Sequence, residues 1–242
     1  MYPGLMDHGE DVIKKIKKNI RTRSSAIIFK GSNSILIDTS PDLRSQLLQN
    51  KIKNISSVVL THEHADQTNG LFELRPFFWR CKKKINVYGD FNTMNLLKKR
   101  HRYLFTKVGN YSPILKSNIV KSNFTLGEKN EKISFKTLKV IHGNTNCVAY
   151  IFEKTAYISD TNDLSIVKMK TLKDLNYLIL DCLKFTKHPS HFNYDESIYV
   201  HSKLKPKKTI LTNLHSDLDY KYLLKNLPRN IIPAYDGLKI TL

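Results

Sequence analysis

The segment Val58-Val59-Leu60-Thr61-His62-Glu63-His64-Ala65-Asp66 brings two imidazoles and a carboxylate to the end of an apolar, β-branched run. Residues i and i+2 of an extended chain face the same side, so His62 and His64 are expected to point together. Asp66 lies one step further on, before a turn expected at Asn69-Gly70. Two imidazoles and a carboxylate at this spacing suit a divalent cation with nitrogen and oxygen preference. Three more strand-like runs end in residues of the same kind. Leu138–Ile141 runs into His142, Ala156–Ser159 into Asp160, and Thr209–Thr212 into Asn213 with His215 two residues on. Each alone is weak, since a strand-end Asp such as Asp160 commonly caps a turn. Strand ends at one edge of a layered α/β fold converge, so the four together point to one cleft.

The elements that must deliver these residues alternate along the chain. Strands are expected at 26–29, 34–37, 57–60, 85–88, 132–140, 147–152, 156–158, 177–180, 209–211 and 238–242. Helices are expected at 41–49, 91–100, 164–173, 194–203 and 220–225. Asp38 and Asp42 flank the first helix and are expected to cap it. The hairpin 132–152 implies a partly antiparallel sheet, so the class is α/β without being a simple doubly wound sheet. Forty per cent hydrophobic residues supply a core, and no apolar run approaches the roughly 20 residues of a membrane span. With no Pro/Gly/Ser-rich linker, residues 19–242 read as one domain. Residues 1–18, with Lys14, Lys15, Lys17 and Lys18, read as a divergent or disordered basic segment without a secretory pattern. Cys81, Cys147 and Cys182 are far apart and lack CxxC spacing, which excludes a disulfide framework and a thiolate zinc site. A reducing cytoplasm is the compartment this implies, with Cys147 and Cys182 in the core.

Forty Lys and Arg against 21 Asp and Glu give a net charge of +19, a field that attracts polyanions. The surplus is mostly lysine, which a solvated surface explains equally well, and RNA-type aromatic and glycine motifs are absent. The run Lys98-Lys99-Arg100-His101-Arg102 reads as a solvated helix face, and His8, His101 and His201 as surface residues.

The order of these motifs resembles the metallo-β-lactamase fold, whose signature is HxHxDH followed by His, Asp and His at later strand ends. The segments 21–25, 37–44, 70–75, His188-Pro-Ser-His191, 212–220 and 234–237 resemble its phosphodiesterase branch, the phosphoribosyl cyclic phosphodiesterase-like proteins. The resemblance covers roughly residues 18 to 242 and implies a four-layer αββα sandwich. The family's opening strand and Gly/Ser-rich loop are not found before Ile20. The family pattern assigns one metal to His62, His64 and His142, with Asp160 bridging to a second that Asp66 also ligates. One or two divalent ions are thus implied: zinc or manganese, with iron fitting the same donors. The implied reaction is hydrolysis of a small or cyclic phosphodiester by a metal-activated hydroxide. Asp66 and His191 would be catalytic, His191 as general acid or phosphate donor. Arg44, Arg75 and His188 would bind substrate. A nuclease, with nucleic acid as partner, and a non-catalytic binding protein remain alternatives. No membrane partner is implied, and a homodimer is compatible.

Two residues depart from the pattern. Gln67 and Asn213 stand where the family has histidines that serve the second metal, and neutral amides are poor transition-metal ligands beside imidazole. His215 is the expected substitute donor, two residues after Asn213.

Overall fold

The computed structural model describes residues 16–242; the basic segment through residue 15 lies outside the described residues. The chain divides into two compact units, Arg23–Thr137 and Leu138–Leu242, the latter joined by residues 16–22.

The unit 23–137 carries β1 (Ala26–Lys30), β2 (Asn33–Ile37), α1 (Leu43–Gln49), β3 (Ser57–Val59), α2 (Ala65–Thr68), α3 (Arg75–Cys81), β4 (Ile85–Gly89), α4 (Phe91–Arg100), α5 (Arg102–Phe105), β5 (Leu115–Ile119) and β6 (Asn123–Leu126). Five strands form a sheet in the order β1-β2-β3-β4-β5. β1 and β2 make an antiparallel hairpin, and the rest pair in parallel. Continuous apolar runs such as Ile35-Leu36-Ile37 and Val58-Val59 suit interior parallel strands, and all five residues are buried. Leu43 and Leu47 of α1, Met94 and Leu97 of α4, and Leu104 of α5 join Leu36, Val58 and Val87 in one core. The Asp90 side chain caps α4 by accepting from the Thr93 N–H.

The second unit receives β7 (Ile133–His142), whose first residues belong to the other unit. It continues with β8 (Thr145–Phe152), β9 (Thr155–Ile158), α6 (Ile166–Met169), β10 (Tyr177–Asp181), α7 (Tyr194–Leu204), β11 (Lys208–Thr212), α8 (Tyr220–Asn226) and β12 (Ile231–Pro233). The sheet order is β12-β11-β10-β9-β8-β7-β6. β8 and β9 are antiparallel, and β9 through β12 are parallel. Register matters here. Leu180 pairs with Ile158 on one side and Leu211 on the other, and Asp181 pairs with Thr212. Asp160, Asp181 and Asn213 therefore leave three adjacent strands at the same end. Asn193 and Glu196 form a capping box at the start of α7.

Residues 16–22 are strapped to the C-terminal part of this unit. The Asn19 amide donates to Asp219, and its oxygen accepts from the Tyr220 N–H at 2.8 Å. Arg21 donates to the Leu218 carbonyl at 2.9 Å, and the Thr22 hydroxyl to Asp236 at 2.7 Å.

Several expectations need correction. Residues 238–242 form no strand; their alternation finds no partner strand among the described residues. β5, β6, β12, α2, α3 and α5 were not expected. No strand precedes Ala26 among the described residues. No helix among the described residues is long and apolar enough to cross a membrane.

Candidate functional site

In the unit 23–137, β3 stops at Val59, earlier than the sequence suggests, and His62 lies in the loop that follows. His64 takes the N-cap position of α2, so the chain turns at Ala65–Thr68 and Asp66 sits in a helical first turn. The His62 and His64 rings lie edge to face with centroids 4.5 Å apart. Asp38, fully buried at φ 59°, holds this loop from the end of β2. Its carboxylate accepts the Thr61 N–H at 2.7 Å and the Thr61 hydroxyl at 2.9 Å. The Thr61 oxygen also lies 3.0 Å from His62 Nδ1. A carboxylate only accepts, so the hydroxyl donates to Asp38 and takes the His62 Nδ1–H on its lone pair. The His62 lone pair is thereby left at Nε2. Asp38 thus braces Thr61 and does not cap α1. Asp42 holds the N-cap position of α1, but its carboxylate accepts from the Arg23 backbone and guanidinium at 3.0 Å. Gly70 permits a close approach: a Cβ there would stand 2.1 Å from the Ser40 carbonyl oxygen. Gln67 is buried, and its Nε2 donates to Asp66 at 3.2 Å.

In the second unit, β7 ends at His142, whose Nδ1 lies 2.6 Å from the Ser190 carbonyl oxygen. A carbonyl can only accept, so His142 carries its proton at Nδ1 and its lone pair at Nε2. Gly143, at φ 59°, lets the 188–191 segment approach; a Cβ there would stand 2.9 Å from that of Ser190. One ligand atom each of His142, Asp160 and His191 lies within 4.8 Å of the others. His191 Nδ1 donates to Asp181 at 2.8 Å. Asp181 is fully buried at the end of β10 and also accepts the Thr161 N–H at 2.9 Å. Burial pushes its carboxyl up to about 7, against the pull of His191. His188 Nδ1 accepts the Ser190 N–H at 3.3 Å, which leaves its Nε2 as a donor. Burial, then His191 and Lys184, hold His188 below the usual imidazole range. Asn213, at φ 62°, directs Nδ2 to Asp160 at 3.2 Å and Asp181 at 3.4 Å.

The remaining expected residues have the following surroundings. His215 pairs with Asp217 at 3.0 Å, and its backbone N–H is donated to Leu183. Arg44 is exposed on α1. The Arg75 guanidinium stands 5.2 Å from the Tyr111 ring, 5.7 Å from Phe72 and 6.0 Å from Trp79. His8 lies outside the described residues. His201 is buried against Thr209 at 2.8 Å, contrary to its expected surface position, because α7 turns it inward with Val200. His101 is half-buried, with its pKa lowered by burial and by Arg100. Cys147 and Cys182 are buried and form no disulfide among the described residues, and burial pushes Cys182 up to about 12. Sequence reasoning missed Asp181 and the Ser190 carbonyl, and read Asp38 as a helix cap. Asp181 carried the same signal as Asp160, a carboxylate at the end of an apolar run.

His62 and His142 each keep a lone pair at Nε2 through a donated Nδ1–H, the tautomer that metal-ligating histidines adopt. These donors fit a divalent cation. Asn213 does not, because its Nδ2 is turned to the carboxylates of Asp160 and Asp181, and Gln67 directs its Nε2 to Asp66.

The β-lactamase superfamily domain matches residues 33–213. The chain belongs to that family, and its mixed α/β architecture, two sheets with flanking helices, is that of the metallo-β-lactamase-fold hydrolases. It is similar to a diphosphatase of the PhnP family whose crystal structure is 31% identical. The TM-score is 0.86, over 96% of this chain and 89% of that one. YhfI from Bacillus subtilis, 18% identical with a TM-score of 0.72 over 90% of this chain and 91% of that one, shares the fold. So does the short form of human tRNase Z, 13% identical with a TM-score of 0.67 over 90% and 92%. A curated protein of Porphyromonas gingivalis named octanoyltransferase is 31% identical over 225 residues. That match takes in 90% of this chain and 44% of the relative, so the chain spans less than half of it.

Proposed function

We propose that this chain is a metal-dependent phosphoric diester hydrolase acting on a small or cyclic phosphodiester. The observation that carries the reading is the group of His142, Asp160 and His191, with one ligand atom of each within 4.8 Å of the others. The likeness to a PhnP-family diphosphatase at 31% identity supports phosphorus as the atom attacked. The family pattern takes His142 and Asp160 of this group as donors with His62, His64 and Asp66, and keeps His191 for the proton. When bound, a divalent cation supplies a Lewis acid and a water acidified towards neutrality. His191, whose Nδ1 meets Asp181 at 2.8 Å, would pass a proton to a leaving oxygen. His188 can donate its Nε2–H to a phosphoryl oxygen, and exposed Arg44 can meet substrate charge. The acyl transfer named for the longer relative is not carried over, because the match leaves more than half of that protein outside. Cys147 and Cys182, buried and outside any disulfide among the described residues, support a reducing compartment.

The test is turnover of the protein reloaded with zinc, manganese or iron. The substrates are a chromogenic phosphodiester, a cyclic phosphodiester and a diphosphate diester. Hydrolysis that a chelator abolishes and metal restores is expected. No turnover with any of the three metals removes the reading.

A second reading, a nuclease, is favoured by the surface around Arg75. Phe72 and Trp79 are 43% and 51% exposed beside Arg75, and Lys82 Nζ lies 4.6 Å from the Trp79 ring centroid. Exposed aromatics interleaved with cations suit unstacked bases on a polyanion.

A further inference from the structure

We propose that this protein holds one divalent cation per chain, with the carboxamides of Gln67 and Asn213 replacing a second. The inference rests on the metal-dependent reading above and concerns how that site is built.

Asn213 leaves β11 in a left-handed conformation that asparagine tolerates better than most residues. Its Nδ2 has Asp160 Oδ1 at 3.2 Å, Asp181 Oδ1 at 3.4 Å and the Ser159 carbonyl at 3.5 Å. Every one of these is an acceptor. His191 Nδ1, 3.3 Å away, already donates its proton to Asp181, so it is no acceptor for the amide. Turning the amide over would set its oxygen against the buried carboxylates of Asp160 and Asp181, so the acceptors fix the NH2 inward. A histidine at this position would offer a lone pair to a cation. The Asn213 NH2 offers two hydrogens to the carboxylates, doing by hydrogen bonding what a cation would do by charge.

The other unit repeats this chemistry independently. Gln67 is buried, and its Nε2 donates to Asp66 Oδ2 at 3.2 Å. In both units the carboxylate that the family pattern gives to a second metal is met by an amide N–H. Losing one histidine alone would leave a carboxylate seeking a cation. Two matched amides remove that demand while leaving the imidazoles of His62 and His142 with lone pairs at Nε2. His215 pairs its Nδ1 with Asp217 at 3.0 Å and stands outside the group of His142, Asp160 and His191.

The test reads metal, with activity as a separate measurement. Full-length protein is stripped with chelator, reloaded with manganese and desalted. It is then examined by elemental analysis and electron paramagnetic resonance. One equivalent and an uncoupled manganese spectrum are expected. Two equivalents, or the spectrum of an exchange-coupled pair, in the wild-type protein overturn the proposal. The Gln67→His/Asn213→His variant is expected to rise to two equivalents; a folded variant still holding one counts against the amides as the cause. The wild-type measurement decides even where the variant fails to fold. One equivalent without phosphodiester turnover would leave this inference standing and remove the functional reading. Two equivalents with turnover would do the reverse.

Discussion

The Nδ1–H of His142 is donated to the Ser190 carbonyl oxygen across 2.6 Å, tying the end of a strand to the segment that carries His188 and His191. The bond sets the tautomer of one histidine and the position of two others, and it exists because Gly143 has no side chain. A Cβ there would need to share 2.9 Å with that of Ser190 at a φ of 59°.

Gly143→Ala should therefore cost more than a surface substitution. The left-handed backbone alone is worth about 1–2 kcal/mol to a residue with a Cβ, and the displaced 188–191 segment should loosen His142. Thermal melts and metal titration of the folded variant would check this. An unchanged metal affinity would show that the segment does not orient His142.

Asp181→Asn keeps the shape but removes the charge that holds His191. If His191 handles the leaving-group proton, kcat should fall about 10–100-fold, the usual cost of losing a carboxylate behind a functional histidine. KM should move little. The pH profile should lose the limb that reports the Asp181–His191 pair. A profile of unchanged shape would assign Asp181 to packing alone.

Asp38 accepts both the N–H and the hydroxyl of Thr61. Asp38→Ala should destabilise the fold by about 1–3 kcal/mol, the cost of an unsatisfied buried donor. It should also weaken metal binding, because Thr61 would no longer be held to accept from His62. Asp38→Asn retains an acceptor for the Thr61 N–H and should be milder on both counts. Chemical denaturation with metal titration separates the two effects.

Burial holds the His201 imidazole below its ordinary value. The unfolded chain therefore binds the proton more readily than the folded one. The stability this gives is present above about pH 6.5 and is lost as pH falls towards the folded value. His201→Gln should flatten that decline. Urea unfolding of both proteins between neutral and mildly acid pH measures the difference.

On the nuclease reading, Trp79→Ala should weaken single-stranded RNA by about 1–3 kcal/mol, the usual worth of one stacked base. Affinity should fall steeply with salt in both proteins. Binding that ignores both Trp79 and salt would leave the Arg75 surface without a nucleic-acid role.

The sequence showed most clearly those elements whose local signals agree. α4 matches its expected span because Asp90 caps it and Met94 and Leu97 face the core. α3 was missed because Arg75-Pro-Phe-Phe-Trp-Arg-Cys81 is aromatic, and its one helix signal is Pro76 in the first turn. β5 and β6 are short and half-exposed, so no apolar run marks them. Of the candidate site, His142 and Asp160 were marked by strand ends, whereas His191 came from the family likeness alone and with a different role. Which way Asn213 and His215 point was not, since it depends on the left-handed turn at Asn213. Asp38 reads as a helix cap from its neighbours alone, because its partner, Thr61, is distant in sequence.

The strap of residues 16–22 bears on how the chain is made. Arg23–Thr137 is continuous and has emerged from the ribosome when the second unit is only beginning. That second unit binds residues 16–22 through Leu218, Asp219, Tyr220 and Asp236, all synthesised after the whole of the first unit. During translation the first unit can fold as it appears, whereas the second must keep its early segment waiting until Asp236 has been made.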